Sequence, residues 1–157
     1  MKTMTPELAQ RFKVLQIIGF ALPLGVVVFA VVAAVLGPVG QQPADPAMLN
    51  MLRLACVALI VGTVPIALVL RRAMISQLAQ READDMQIMN AFTNATILAI
   101  ALAEGPALFG AVVLLLSGTP SDIVLVALPL IGMLWHMPTR SRWEKFVDSV
   151  HQQKTRM

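Results

Sequence analysis

The chain has 157 residues, of which 57% are hydrophobic and only 13% charged. A soluble domain carries about 25% charged residues, so this composition excludes a water-soluble enzyme. Apart from Glu104, which lies deep inside one of them, the nine acids and twelve bases stand between long apolar runs, which points to an all-α polytopic membrane protein.

Thr5, Pro6 and Glu7 read as an N-cap, a proline at the first helical position and an acid matched to the helix dipole. The first helix is therefore expected to start before the membrane. Its apolar run, about 14–36, exceeds the 7 to 15 or so residues of a signal-peptide core, so it is read as a retained span. Further spans are expected at about 51–70, 91–116 and 123–137, each close to the roughly 20 residues that cross a bilayer. Continuous apolarity, without the alternation of barrel strands, leaves helices as the form that satisfies the backbone in lipid. The expectation is a single membrane domain, 1–157, built as a four-transmembrane-helix bundle.

Residues 71–90 mix Met74, Leu78, Met86 and Met89 with Arg81, Glu82, Asp84 and Asp85. This pattern reads as a cytoplasmic helical hairpin, either a solvated connector or a docking surface. Residues 138–157 form a basic interfacial tail, with Trp135 and Trp143 expected at headgroup depth. Pro138 stops or kinks the fourth helix.

Eleven of the twelve bases fall on the N-terminus, the hairpin and the tail; Arg53 alone falls on the other side. Positive charge stays cytoplasmic, so both termini are expected there, in a cell's inner (plasma) membrane. The external connections, 38–50 and 117–122, are too short for a receptor or hydrolase domain.

One proline falls in every span: Pro23, Pro65, Pro106 and Pro129. Each frees the carbonyl four residues earlier, at Gly19, Val61, Leu102 and Leu125. Freed carbonyls can bind hydrogen donors or cations, although proline is also simply common in membrane helices. The third span carries Ala91, Ala95, Ala99, Ala103, Ala107 and Ala111 at intervals of four. Small residues at this spacing let helices approach closely. That helix is expected to be packed, against its own chain or another copy.

Glu104 is the ionisable residue deepest in an apolar run, near the expected midplane. A charge there costs on the order of 3 kcal/mol, while twelve strongly apolar neighbours contribute about 0.3 to 0.6 kcal/mol each, so insertion survives. Arg53 and His136 lie at opposite edges, and desolvation without a cation favours the neutral carboxyl. Glu104 is thus expected to be a buried proton holder. Asn90 and Thr93 lie within about 40° of it on a helical wheel, forming a polar half-path from the cytoplasmic side. An intramembrane acid is a candidate functional residue. A structural Glu104, hydrogen-bonded to Thr63, Gln16 or a freed carbonyl, is the competing reading.

The segment Ala101-Leu102-Ala103-Glu104-Gly105-Pro106-Ala107-Leu108-Phe109-Gly110, with the apolar run to Gly118, resembles the third helix of small uncharacterised four-helix bacterial membrane proteins. The Pro138-Thr139-Arg140 ending also fits them. The same segment is similar to the carboxylate helix of the proteolipid ring subunit of rotary ATP synthases. That second resemblance implies that Glu104 would carry a translocated proton or sodium ion. The chain departs from ring subunits in having Gly62 alone where they have a glycine ladder, in lacking an Arg-Gln-Pro turn, and in having two extra spans.

Cys56 is the single cysteine, and His136 and His151 stand 15 residues apart, so no metal or cofactor is expected. Phosphate-loop and nucleophile motifs are missing, and topology explains the basic residues without nucleic acid. Two functions stand. The first is an accessory or oligomerising subunit whose partners are the bilayer, further copies or another membrane protein. The second is a proton- or cation-coupled carrier or ring, resembling small multidrug carriers in having four spans and one membrane Glu. An enzyme ranks last.

Overall fold

In the computed structural model, which describes residues 5–37, 45–80 and 84–155, the first three apolar runs form helices longer than themselves and the fourth a shorter one. These are α1 (Pro6–Leu36), α2 (Pro46–Gln80), α3 (Asp85–Ser117), α4 (Ile123–Trp135) and α5 (Arg140–Thr155), with a 3-10 turn at Pro120–Asp122 before α4. No strand occurs among the described residues. Three helices, Pro6–Leu36, Pro46–Leu78 and Asp85–Ser117, are long and apolar enough to cross a membrane. A fourth candidate is Pro120–Trp135 joined to Arg140–Thr155 through a bend of 66°.

Local chemistry sets the ends. The Thr5 hydroxyl accepts the Leu8 N–H at 3.4 Å, and Pro6 opens α1, whose missing N–H would be unpaired there anyway. Asp84 caps α3 by accepting the Gln87 N–H at 2.7 Å. Gly118, at φ 59°, closes α3 onto the Leu114 carbonyl, a left-handed cap that glycine adopts without a Cβ penalty. Arg81 lies outside the described residues. On either side of that gap α2 and α3 continue as helix through most of 71–90.

α4 has 13 residues and is about 20 Å long, short of the roughly 30 Å hydrocarbon core; the preceding 3-10 turn extends it. It ends at Trp135, two residues before the expected limit, because the chain turns at His136 and Pro138 cannot continue a helix. α1 fixes this bend. A Cβ on Gly19 would meet Pro138 Cδ at 2.9 Å, and the Gln16 amide donates to the Pro138 carbonyl at 3.4 Å. Thr139 then caps α5 by accepting the Arg142 N–H.

Three apolar clusters hold the helices together. At the basic end, Leu8, Phe12 and Leu15 of α1 pack on Ile88, Met89 and Phe92 of α3 and on Phe146 and Val150 of α5. Farther along, Val26 and Ala30 of α1 meet Ile100, Ala107 and Ala111 of α3 and Val126 and Met133 of α4. The third cluster joins Cys56 of α2, Val113 of α3 and Leu125 of α4. α3 contributes to all three and is the central helix. α2 is the most peripheral of the long helices, with Cys56 its one buried side chain among those described.

Two details go beyond the sequence pattern. The apolar residues of the 71–90 segment do not simply project into water: Met89 is fully buried, and Ile75, Leu78 and Met86 pack at the edge of the first cluster. Beyond the headgroup depth expected of it, Trp143 packs at the edge of the same cluster and meets Phe92 edge-on at 5.4 Å. Trp135 remains 70% exposed.

Candidate functional site

Glu104 lies near the middle of α3, on the side away from α2. α2 meets α3 through Cys56, whose thiol donates to the Pro106 carbonyl at 3.6 Å, and Pro106 is about 160° from Glu104 on the wheel. Glu104 is half-buried, so the full enclosure expected of it is not provided by one copy of the chain. Among the described residues it has no hydrogen-bond or ion-pair partner. Its neighbours Ala101 and Gly105 are exposed, and a Cβ added at Gly105 would meet nothing within 4 Å.

The partners expected for a structural Glu104 are engaged elsewhere. The Thr63 hydroxyl donates to its own helix, at the Ile60 carbonyl, 2.8 Å away, as hydroxyls inside helices commonly do. Gln16 serves Pro138, as described above. Asn90 accepts from the Arg11 guanidinium at 3.2 Å. Asn90 and Thr93 both line a cavity of about 420 Å³ between α1 and α3, with Glu7 and Arg11 at its mouth. Glu104 does not line it, being eleven residues, or about 16 Å, farther along the helix. Ile97 intervenes on that face, so the polar path stops well short of the carboxyl.

The alanine ridge divides among several neighbours of the same chain. Ala107 and Ala111 are fully buried against α1 and α4, with Ala103 at the edge of that cluster. Ala91 packs on the basic-end cluster, while Ala95 and Ala99 face a cavity beside α2. The helix drifts about 40° for every four residues, so one ridge serves three directions in turn.

Pro23, Pro65, Pro106 and Pro129 all lie inside helices. Pro129 deprives the Leu125 carbonyl of its helical donor. That oxygen lies against Gly110, where an added Cβ would sit 2.6 Å from it. The freed carbonyl therefore lies against the α3 backbone. Gly19, the residue freed by Pro23, is likewise covered on one side by the Pro138 ring.

An ion pair absent from the sequence reading closes the opposite end. Arg53 of α2 donates to both Asp122 oxygens, at 2.9 and 2.7 Å, and to Asn50 at 3.2 Å. The Ser117 hydroxyl also donates to Asp122 at 2.6 Å. The Arg53 hydrogen bonds hold the Asp122 carboxyl below its ordinary pKa, against the upward push of burial, and Ser117 adds to the lowering. Separated by 69 residues in sequence, the partners carry no local signal. The available hint is that the one base on that side needs an acid within reach.

Among the described residues no group of three or more His, Cys, Asp or Glu could hold a metal ion. Comparison with protein-family models, curated proteins and solved structures gives no match.

Proposed function

We propose that the chain is a four-span subunit of a cell's inner membrane, with both termini cytoplasmic, that assembles with further copies of itself through the outward face of α3. Glu104 is then sealed at the midplane by the neighbouring chain. The observation that carries this reading is a half-buried carboxyl without a partner in its own chain, beside the exposed small pair Ala101 and Gly105. Hydrocarbon does not tolerate an unpaired acid cheaply, and small residues four apart allow a second helix to come close enough to cover it. Orientation draws support from charge as well: Arg53, the exception to positive-inside counting, is neutralised by Asp122.

Exposure of an unpartnered Glu104 also favours the second reading, a proton- or cation-coupled ring or carrier, since a carboxyl on an outer helix face can exchange an ion with a neighbour. Native mass spectrometry of the full chain in nanodiscs tests assembly. The multimer is expected, and Gly105→Leu, which meets open space within a single chain, should reduce it roughly tenfold or more while helicity is unchanged. A single copy at all protein-to-lipid ratios would refute the proposal. Carbodiimide labelling separates the two readings: fast labelling of Glu104 that fades as pH rises indicates ion exchange, whereas inertness at every pH indicates a sealed structural acid.

A further inference from the structure

A second site lies on the other side of α3. Ala95 and Ala99 leave α3 thin where α2 passes, and the gap remains open as a cavity of about 520 Å³, within the usual range for small-molecule sites. Its inner wall is apolar: Val64 and Leu68 of α2, the two alanines, and Phe92. The Thr96 hydroxyl, on the same wall, has no hydrogen-bond partner among the described residues. Its mouth is cationic, with Arg71 from α2 and Arg142 and Lys145 from α5.

No carboxylate lines this space. Of the two acids on α5, Glu144 is paired with Arg140 at 3.4 Å and Asp148 does not line the cavity, and none of the three cations has a carboxylate partner among the described residues. A solvated basic face would spread such charges apart. Here they converge from two helices, and Arg142 is half-buried, with its guanidinium 5.8 Å from the centre of the Trp135 ring. Burial and then repulsion from Arg71 lower the pKa of Arg142, the opposite of what a resident acid would do. Like charges gathered at an apolar slot are relieved by an anion that carries an apolar tail.

We propose that this cavity binds one anionic phospholipid, its phosphate held by Arg71, Arg142 and Lys145 and one acyl chain lying along Ala95 and Ala99. Guanidinium groups suit phosphate because their planar donors engage two oxygens at once. Basic pockets between membrane helices on the cytoplasmic side have this chemistry. Trp135 at the rim occupies the depth that indole rings favour, where tail gives way to headgroup. The site depends on the membrane reading but not on assembly through α3.

The test is a native mass-spectrometry titration of the delipidated full chain with phosphatidylglycerol, with phosphatidylcholine of the same chains, and with inorganic phosphate. One phosphatidylglycerol per chain should be retained, at least tenfold more strongly than phosphatidylcholine. Inorganic phosphate should not displace it. Arg71→Gln/Arg142→Gln should weaken retention on the order of 30-fold, since each nearby base is worth several-fold. Ala99→Phe, which keeps every charge and fills the slot, should weaken it as well, while Lys154→Gln, outside the cavity, should not. Equal retention of both lipids, full displacement by inorganic phosphate, or unaltered binding by Ala99→Phe would overturn the proposal.

Discussion

Replacing Gly110 by alanine is expected to force α3 away from α4 and to lower the melting temperature in nanodiscs by roughly 4 to 8 °C. The new Cβ would fall 2.6 Å from the Leu125 carbonyl oxygen and 2.7 Å from its carbon. Both are backbone atoms, so no rotamer change relieves the clash. Alanine exceeds glycine in helix propensity by about 1 kcal/mol, while overpacking a fitted contact costs about 1 to 3 kcal/mol and sometimes more. The steric term wins here because α3 joins all three clusters and cannot move away from α4 without disturbing α1 and α2. Gly62→Ala is the control, since nothing lies within 4 Å of the added Cβ. It should leave the protein as stable as before or slightly more so. Gly110→Ala melting at the same temperature as Gly62→Ala would show that the close approach to Leu125 is not part of the folded protein.

Gly110 also marks the limit of what the sequence discloses. Helix-forming runs, the Thr5 cap and the intrahelical prolines are local features, and each can be read from a few adjacent residues. The alanine spacing further points to α3 as a packed helix, and residues of α3 take part in each of the three core clusters. Rotation of each helix is a different matter. A soluble helix reveals its inner face by where its polar residues are not, whereas α1, α2 and α3 are apolar nearly all round. Sequence spacing could therefore place Glu104 at a depth but not say which neighbour it faces. The same ambiguity concealed the packing of Trp143 on Phe92 and the convergence of Arg71 with Arg142. Wheel angles alone put Asn90 and Thr93 near the Glu104 azimuth, yet the cavity they share ends a long way before that carboxyl.

Arg53→Leu is expected to destabilise the protein more than Asp122→Leu does, and the double substitution should recover most of the loss. The asymmetry follows from burial. Side-chain exposure is 33% for Arg53 but only 8% for Asp122. Without Arg53, a buried carboxylate keeps Ser117 as its remaining side-chain donor; without Asp122, the guanidinium still reaches Asn50 and polar surroundings. Breaking a buried pair is costly mainly because of the charge left behind, whereas replacing both partners by apolar groups is often close to neutral. A fall in melting temperature of roughly 5 to 10 °C for Arg53→Leu is the expected scale. Acid, which neutralises the carboxyl and leaves the guanidinium charged, should reproduce the smaller loss of Asp122→Leu. Because the folded-state pKa of Asp122 is depressed, the pair contributes fully above the unfolded value of about 3.9. That contribution disappears as pH falls through the folded-state value. The melting temperature of the wild type relative to that of Arg53→Leu/Asp122→Leu should then stay constant from neutral pH down to about 4 and fall below it, because the double variant has no such carboxyl to protonate. A pair that merely rests on the surface would give no such relative fall, and the two single variants would melt alike. The comparison matters because α2 has Cys56 as its one buried side chain among those described, so the Arg53 pair is a principal restraint on where that helix stands against the rest of the bundle.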